Sequence, residues 1–152
     1  MYQTLTFLHS LTRWLVLTGL LAALVMAIRG LLRRSSFPAG DNAVRHWSAT
    51  IAHVQLVLGM LLYFRSPSIK FYRSHSEAAG EYPELRFFSM IHPLCMLMAI
   101  VLLTIGSGLA KRREAAASKY RTILIWYGLA LLIMILAIPW PFSPFASRPY
   151  WR

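Results

Sequence analysis

Residues 5–28 read "LTFLHSLTRWLVLTGLLAALVMAI", a run in which Arg13 is the only formally charged side chain. About 20 residues at a rise of about 1.5 Å each cross a hydrocarbon core of about 30 Å. No water is available there to satisfy backbone N–H and C=O groups, so the run must be helical. Three further blocks of the same kind follow: residues 47–64, "WSATIAHVQLVLGMLLYF"; residues 87–110, "FFSMIHPLCMLMAIVLLTIGSGLA"; and residues 123–140, "ILIWYGLALLIMILAIPW". The expected fold is an all-α membrane protein, a four-transmembrane-helix up-down bundle forming one domain over residues 1–152.

The composition agrees with this. Hydrophobic residues make up 57% of the chain and charged ones 14%, against about 25% charged in a soluble domain. The net charge of +11 does not point to nucleic acid, because the basic residues gather at the ends of the apolar blocks, where they act as topology and headgroup anchors. The N-terminus lacks the basic start and the small-residue cleavage site of a signal peptide. The single cysteine, Cys95, lies inside a block, so a disulfide framework is excluded.

The connections are short. Pro38 and Gly40 break the first, and the tail "PFSPFASRPYWR" is expected to lie along the membrane surface. The first and third connections carry Arg29, Arg33, Arg34, Arg45, Lys111, Arg112, Arg113, Lys119 and Arg121. The other side carries Arg65, Lys70, Arg73, Arg86, Arg148 and Arg152, so the balance is nine against six. The positive-inside rule then expects a multi-pass protein of a bacterial inner membrane with both termini on the periplasmic side.

Ionisable groups inside a span require a reason. His9 and Arg13 fall in the first span, His53 in the second and His92 in the third, with Gln55 beside His53; no span holds Asp or Glu. The absence of acids argues against carboxylate-based proton pumping. His9 lies about 6 Å below the outer end of its helix and His92 about 7–8 Å below the end of its own, so the two imidazoles share a level. Arg13 is one turn deeper on the face of His9. His53 is near the midplane, with His46 two turns away on the same face.

Imidazoles on separate helices at matched depth suit the iron of haem b, with His9 and His92 as axial ligands. Arg13 would pair with a propionate. Trp14, Met90 and Met96 would pack around the ring. His53 is an alternative ligand, a second-site ligand with His46, or a proton donor to a quinone. Two readings compete. Each histidine can simply hydrogen-bond a neighbouring helix, for about 0.6 kcal/mol on average. The histidines can also bind zinc or copper, although no cysteine or carboxylate accompanies them to neutralise the metal. Pro93, directly after His92, should kink the third span and free a carbonyl near the site.

The segments "LHSLTRW", "HVQLVLGMLLYF", "FFSMIHPLCMLMAIVLLTIG" and "IPWPF" together resemble a family of small four-helix membrane proteins of Bacteroidota labelled "cytochrome b". The resemblance covers nearly the whole chain. It implies haem and electron transfer, and points to His9, His53 and His92 with Arg13 and Gln55. In that family a glutamate often precedes the third histidine; here Ile91 stands there, which removes a partner for Arg13 or a histidine. The function expected is thus a membrane haem b protein for electron transfer, with quinone or within a respiratory complex. The alternative is a cofactor-free accessory or assembly subunit. The bilayer is the expected partner, with a larger membrane complex or a homodimer around it.

Overall fold

A computed structural model describes residues 1–75, 82–144 and 146–150. Part of the second connection, and Phe145, Trp151 and Arg152 of the tail, lie outside the described residues. The elements are α1 (Tyr2–Leu32), α2 (Ala39–Arg65), a short α3 (Pro67–Ser74), α4 (Pro83–Arg86), a π-helical turn (Phe87–Ile91), α5 (His92–Arg112) and α6 (Ala116–Ala137). From α4 the chain runs through the π turn into α5 as one span, Pro83–Arg112, so four helices are long and apolar enough to cross a membrane. The protein is an all-α four-helix bundle and a multi-pass membrane protein.

The helices form a ring in which α1 packs on α2 and α6, and α5 packs on α2 and α6. Alanines at the contacts, among them Ala23, Ala27, Ala52, Ala99 and Ala130, are fully buried. Small residues let helices approach closely where water gives no hydrophobic drive between them. Gly30 is the tightest case: a Cβ there would stand 2.3 Å from the Tyr120 ring. The Tyr120 hydroxyl donates 2.7 Å to the Ser36 carbonyl, tying the start of α6 to the α1–α2 turn. Tyr127 donates 2.7 Å to the Arg45 carbonyl. Buried Arg45 is itself held by Asn42 and Ser107, so it is a structural arginine of the turn end.

The helices run past the apolar blocks at most ends, because the flanking polar turns stay helical outside the hydrocarbon. The fourth differs: α6 begins at Ala116 rather than near residue 123, and stops at Ala137 rather than at Trp140. Pro139 and Pro141 lack the N–H groups that would bond the carbonyls of Ile135 and Ala137, so the helix cannot continue. Since Tyr120 faces Gly30, counting the same rise back along α1 brings the end of α6 level with Arg13. The first turns of α1, about 16 Å of helix, therefore have no α6 beside them. The tail fills part of that gap: Trp140 packs on Trp14 at 6.1 Å and Tyr150 on Trp14 at 6.4 Å. The described part of the tail folds back onto the bundle through these contacts.

Candidate functional site

The missing stretch of α6 leaves a cavity of about 530 Å³ at the end of the bundle that carries the termini. Its walls come from every long helix, from α3 and from the tail. His9, Ser10 and Arg13 line it from α1, Gln55, Gly59 and Tyr63 from α2, and His92 and Met96 from α5; Ile138, Pro139 and Arg148 replace the absent turns of α6. His9, Arg13 and His92, named from the sequence, line the same cavity.

Prolines build the local geometry. Pro93 has no N–H for the carbonyl of Ser89, one turn back. The helix widens there into the π turn (Phe87–Ile91), and the Tyr63 hydroxyl donates 3.2 Å to the Ser89 carbonyl. Pro139 frees the Ile135 carbonyl, to which Trp140 Nε1 donates at 2.8 Å. Pro141 frees the Ala137 carbonyl, and His92 Nδ1 donates to it at 2.7 Å. In each case a side chain meets a carbonyl that would otherwise stay unsatisfied in an apolar medium.

The last of these bonds fixes the chemistry of His92. A carbonyl only accepts, so Nδ1 must carry the proton, and in the neutral ring Nε2 keeps its lone pair. This is the arrangement that orients metal-binding histidines: one ring nitrogen donates to a carbonyl and the other is available to the metal.

His9 is held differently. Gln55 Nε2 donates 2.9 Å to the His9 carbonyl and lies 3.3 Å from His9 Nε2, while Thr12 donates to Gln55 Oε1. The His9 carbonyl, an acceptor only, sets which way the Gln55 amide faces. The contact to Nε2 is long for a hydrogen bond. Among the described residues His9 Nδ1 is buried without a hydrogen-bond partner. Its ring lies against Gly59, where a Cβ would come within 3.2 Å of His9 Cε1, so a side chain there would press the imidazole aside by a few tenths of an ångström. Arg13 donates from one terminal nitrogen to the Tyr150 carbonyl, and its Nε is buried with no hydrogen-bond partner among the described residues. Arg148 forms a salt bridge with Glu84 at the mouth.

His53 is not brought to the cavity. It is on the lipid-facing side of α2, with Nδ1 2.7 Å from the Ala49 carbonyl and Nε2 3.0 Å from Thr104 Oγ1. Both ring nitrogens are engaged, and His46, exposed and edge-on to Trp47 at 5.6 Å, adds no second site. Of the packing residues expected around a porphyrin, Met96 lines the cavity. Met90 is exposed and accepts from Tyr72 at 3.4 Å, and Trp14 joins the aromatic cluster of the tail. Among the described residues no three His, Cys, Asp or Glu side chains gather as a metal-binding group.

Gly59, Tyr63 and Arg148 were not read as site residues from the sequence. Tyr63 was legible in principle, because Pro93 announces an unpaired carbonyl that needs a donor. Arg148 carried no signal, since only the fold-back of the tail brings it to the cavity. The fold and the site define a class: a four-span membrane bundle with a histidine-lined cavity at its terminal end. No protein-family model, curated protein or solved structure matches the chain.

Proposed function

We propose that the protein is a haem b electron-transfer protein of a bacterial inner membrane, in which His9 and His92 would hold the haem iron. The observation that carries this reading is the His92 Nδ1 bond to the Ala137 carbonyl, which leaves a lone-pair nitrogen on a ring lining the cavity. The residues present fit the group. Two imidazoles from different helices face one space of about 530 Å³. His9 offers Nε2 against only a 3.3 Å contact with Gln55. Arg13 Nε, without a hydrogen-bond partner among the described residues, would offer a buried N–H to a propionate.

Bound haem b would supply a one-electron couple. The chain's own residues do the rest. His92 is held in one tautomer and orientation by α6. His9, whose Nε2 has only a long contact with Gln55, would hold the group from α1, and the bond from Gln55 to the His9 carbonyl keeps the two helices in register. Arg13 places positive charge one turn below the ligand level, which favours an anionic substituent there. The apolar walls keep the local dielectric low, one of the levers that set a haem potential. His53 has no part in this site.

Purified, haem-supplied protein should show b-type bands in a reduced-minus-oxidised spectrum; their absence would refute the reading. A second reading, a cofactor-free accessory subunit of a larger membrane complex, is favoured by the Thr12–Gln55–His9 network, which joins α1 to α2 without any ligand. Stable co-purification of a partner by protein lacking b-type bands would support it. In either reading the excess of Lys and Arg at the turn end directs that end to the cytoplasm and both termini to the periplasm.

A further inference from the structure

At the opposite end from the cavity, the bundle assembles a basic platform from two turns distant in sequence. Arg29, Arg33 and Arg34 stand at the end of α1, and Lys111, Arg112, Arg113, Lys119 and Arg121 around the α5–α6 turn. Tyr120 joins them. Its ring lies against Gly30, its hydroxyl bonds the Ser36 carbonyl at 2.7 Å, and Phe37 lies 5.0 Å from it and 5.3 Å from Lys119 Nζ. Seven of the eight cations are exposed. Two carboxylates are near in sequence, Asp41 and Glu114. Asp41 already accepts from Tyr120, and among the described residues no ion pair joins either to the platform.

Directly beside the charges runs an apolar stripe. Val25, Ile28 and Leu32 are spaced on one face of α1 and are 41%, 45% and 80% exposed. A ligand matching both features has an anionic head and acyl chains. We infer that the turn end binds acidic glycerophospholipid, with the phosphate among Arg29, Arg33, Arg34 and the α5–α6 turn and the chains along Val25, Ile28 and Leu32. A polybasic surface gains about 1 kcal/mol per Lys or Arg near anionic lipid. An acidic protein would satisfy the charges but not lie along the stripe. A lipid held by both turns would brace the two hairpins at the point where Tyr120 already pins them.

The full chain, delipidated in a neutral detergent, is melted with dioleoylphosphatidylglycerol, dioleoylphosphatidylcholine, inorganic phosphate or polyglutamate. Phosphatidylglycerol should raise the unfolding midpoint by about 5 °C, and about 0.5 M NaCl should abolish most of that rise by screening. The other three should leave the midpoint within about 1 °C of the lipid-free value. The variant R33Q/R34Q/R112Q/R113Q should lose the phosphatidylglycerol effect and keep the wild-type midpoint in phosphatidylcholine. Equal stabilisation by both lipids overturns the inference, as does a full effect of phosphate alone or of polyglutamate, the last pointing to an acidic protein partner. Should the variant fail to fold, the salt titration of the wild-type chain decides: a phosphatidylglycerol effect insensitive to salt overturns the inference.

Discussion

Three prolines decide the chemistry of individual residues at the cavity. Pro93, Pro139 and Pro141 each leave a carbonyl without its helical N–H, and Tyr63, Trp140 and His92 supply the missing donors. A net hydrogen bond contributes about 1 kcal/mol, and stranding a buried acceptor costs about 1–3 kcal/mol. Tyr63→Phe should therefore lower the unfolding free energy by about 1 kcal/mol, measured by denaturation in mixed micelles, without removing a cavity ligand. His53→Ala, which removes the contacts to the Ala49 carbonyl and the Thr104 hydroxyl, should cost about 0.6 kcal/mol. The residue types of the site were legible because ionisable groups in apolar runs stand out. The roles of His53 and His92 were not distinguishable, since both sit in spans and only the facing helix tells them apart. For His53 that neighbour is Thr104, and for His92 it is a carbonyl freed two prolines away.

At the scale of the elements, the length of α6 produces the site. The apolar run continues to Trp140, and hydropathy alone extends the helix that far; the spacing of Pro139 and Pro141 is the physical reason that it stops at Ala137. The four spans were readable from composition, because a bilayer admits few alternatives. The fold-back of the tail was not, because its anchors, Trp14–Trp140, Arg13–Tyr150 and Arg148–Glu84, join segments far apart in sequence. Removing residues 141–152 should open the cavity wall at Arg148 and expose Arg13, raising the labelling rate of a cysteine placed at Ser10 by about tenfold in a chain carrying Cys95→Ser; an unchanged rate would show the tail to be no part of the wall. Gly30 tests the other end. Gly30→Ala forces a methyl group into the Tyr120 ring and should cost about 1–3 kcal/mol as overpacking. Gly40→Ala, with open space around its Cβ position, should not destabilise. Matched melting curves of the two variants check the pair.

Across the whole molecule the two ends differ in kind. The terminal end holds a cavity with histidines, and the turn end presents exposed cations with no ion pair among the described residues. The positive-inside rule gives these ends opposite sides of the membrane. In the Cys95→Ser background, Ser147→Cys should react with an impermeant maleimide in intact spheroplasts and Ser35→Cys only after lysis. The reverse pattern would invert the proposed orientation while leaving the fold unaffected.

Haem content of two variants, prepared side by side with the wild-type chain and normalised to folded protein, bears most directly on the convergence of His9 and His92. His92→Ala should reduce b-type absorbance at least tenfold, and His53→Ala should leave it within the error of the wild type. Full haem content in His92→Ala, or its loss in His53→Ala with His92 intact, would contradict the account.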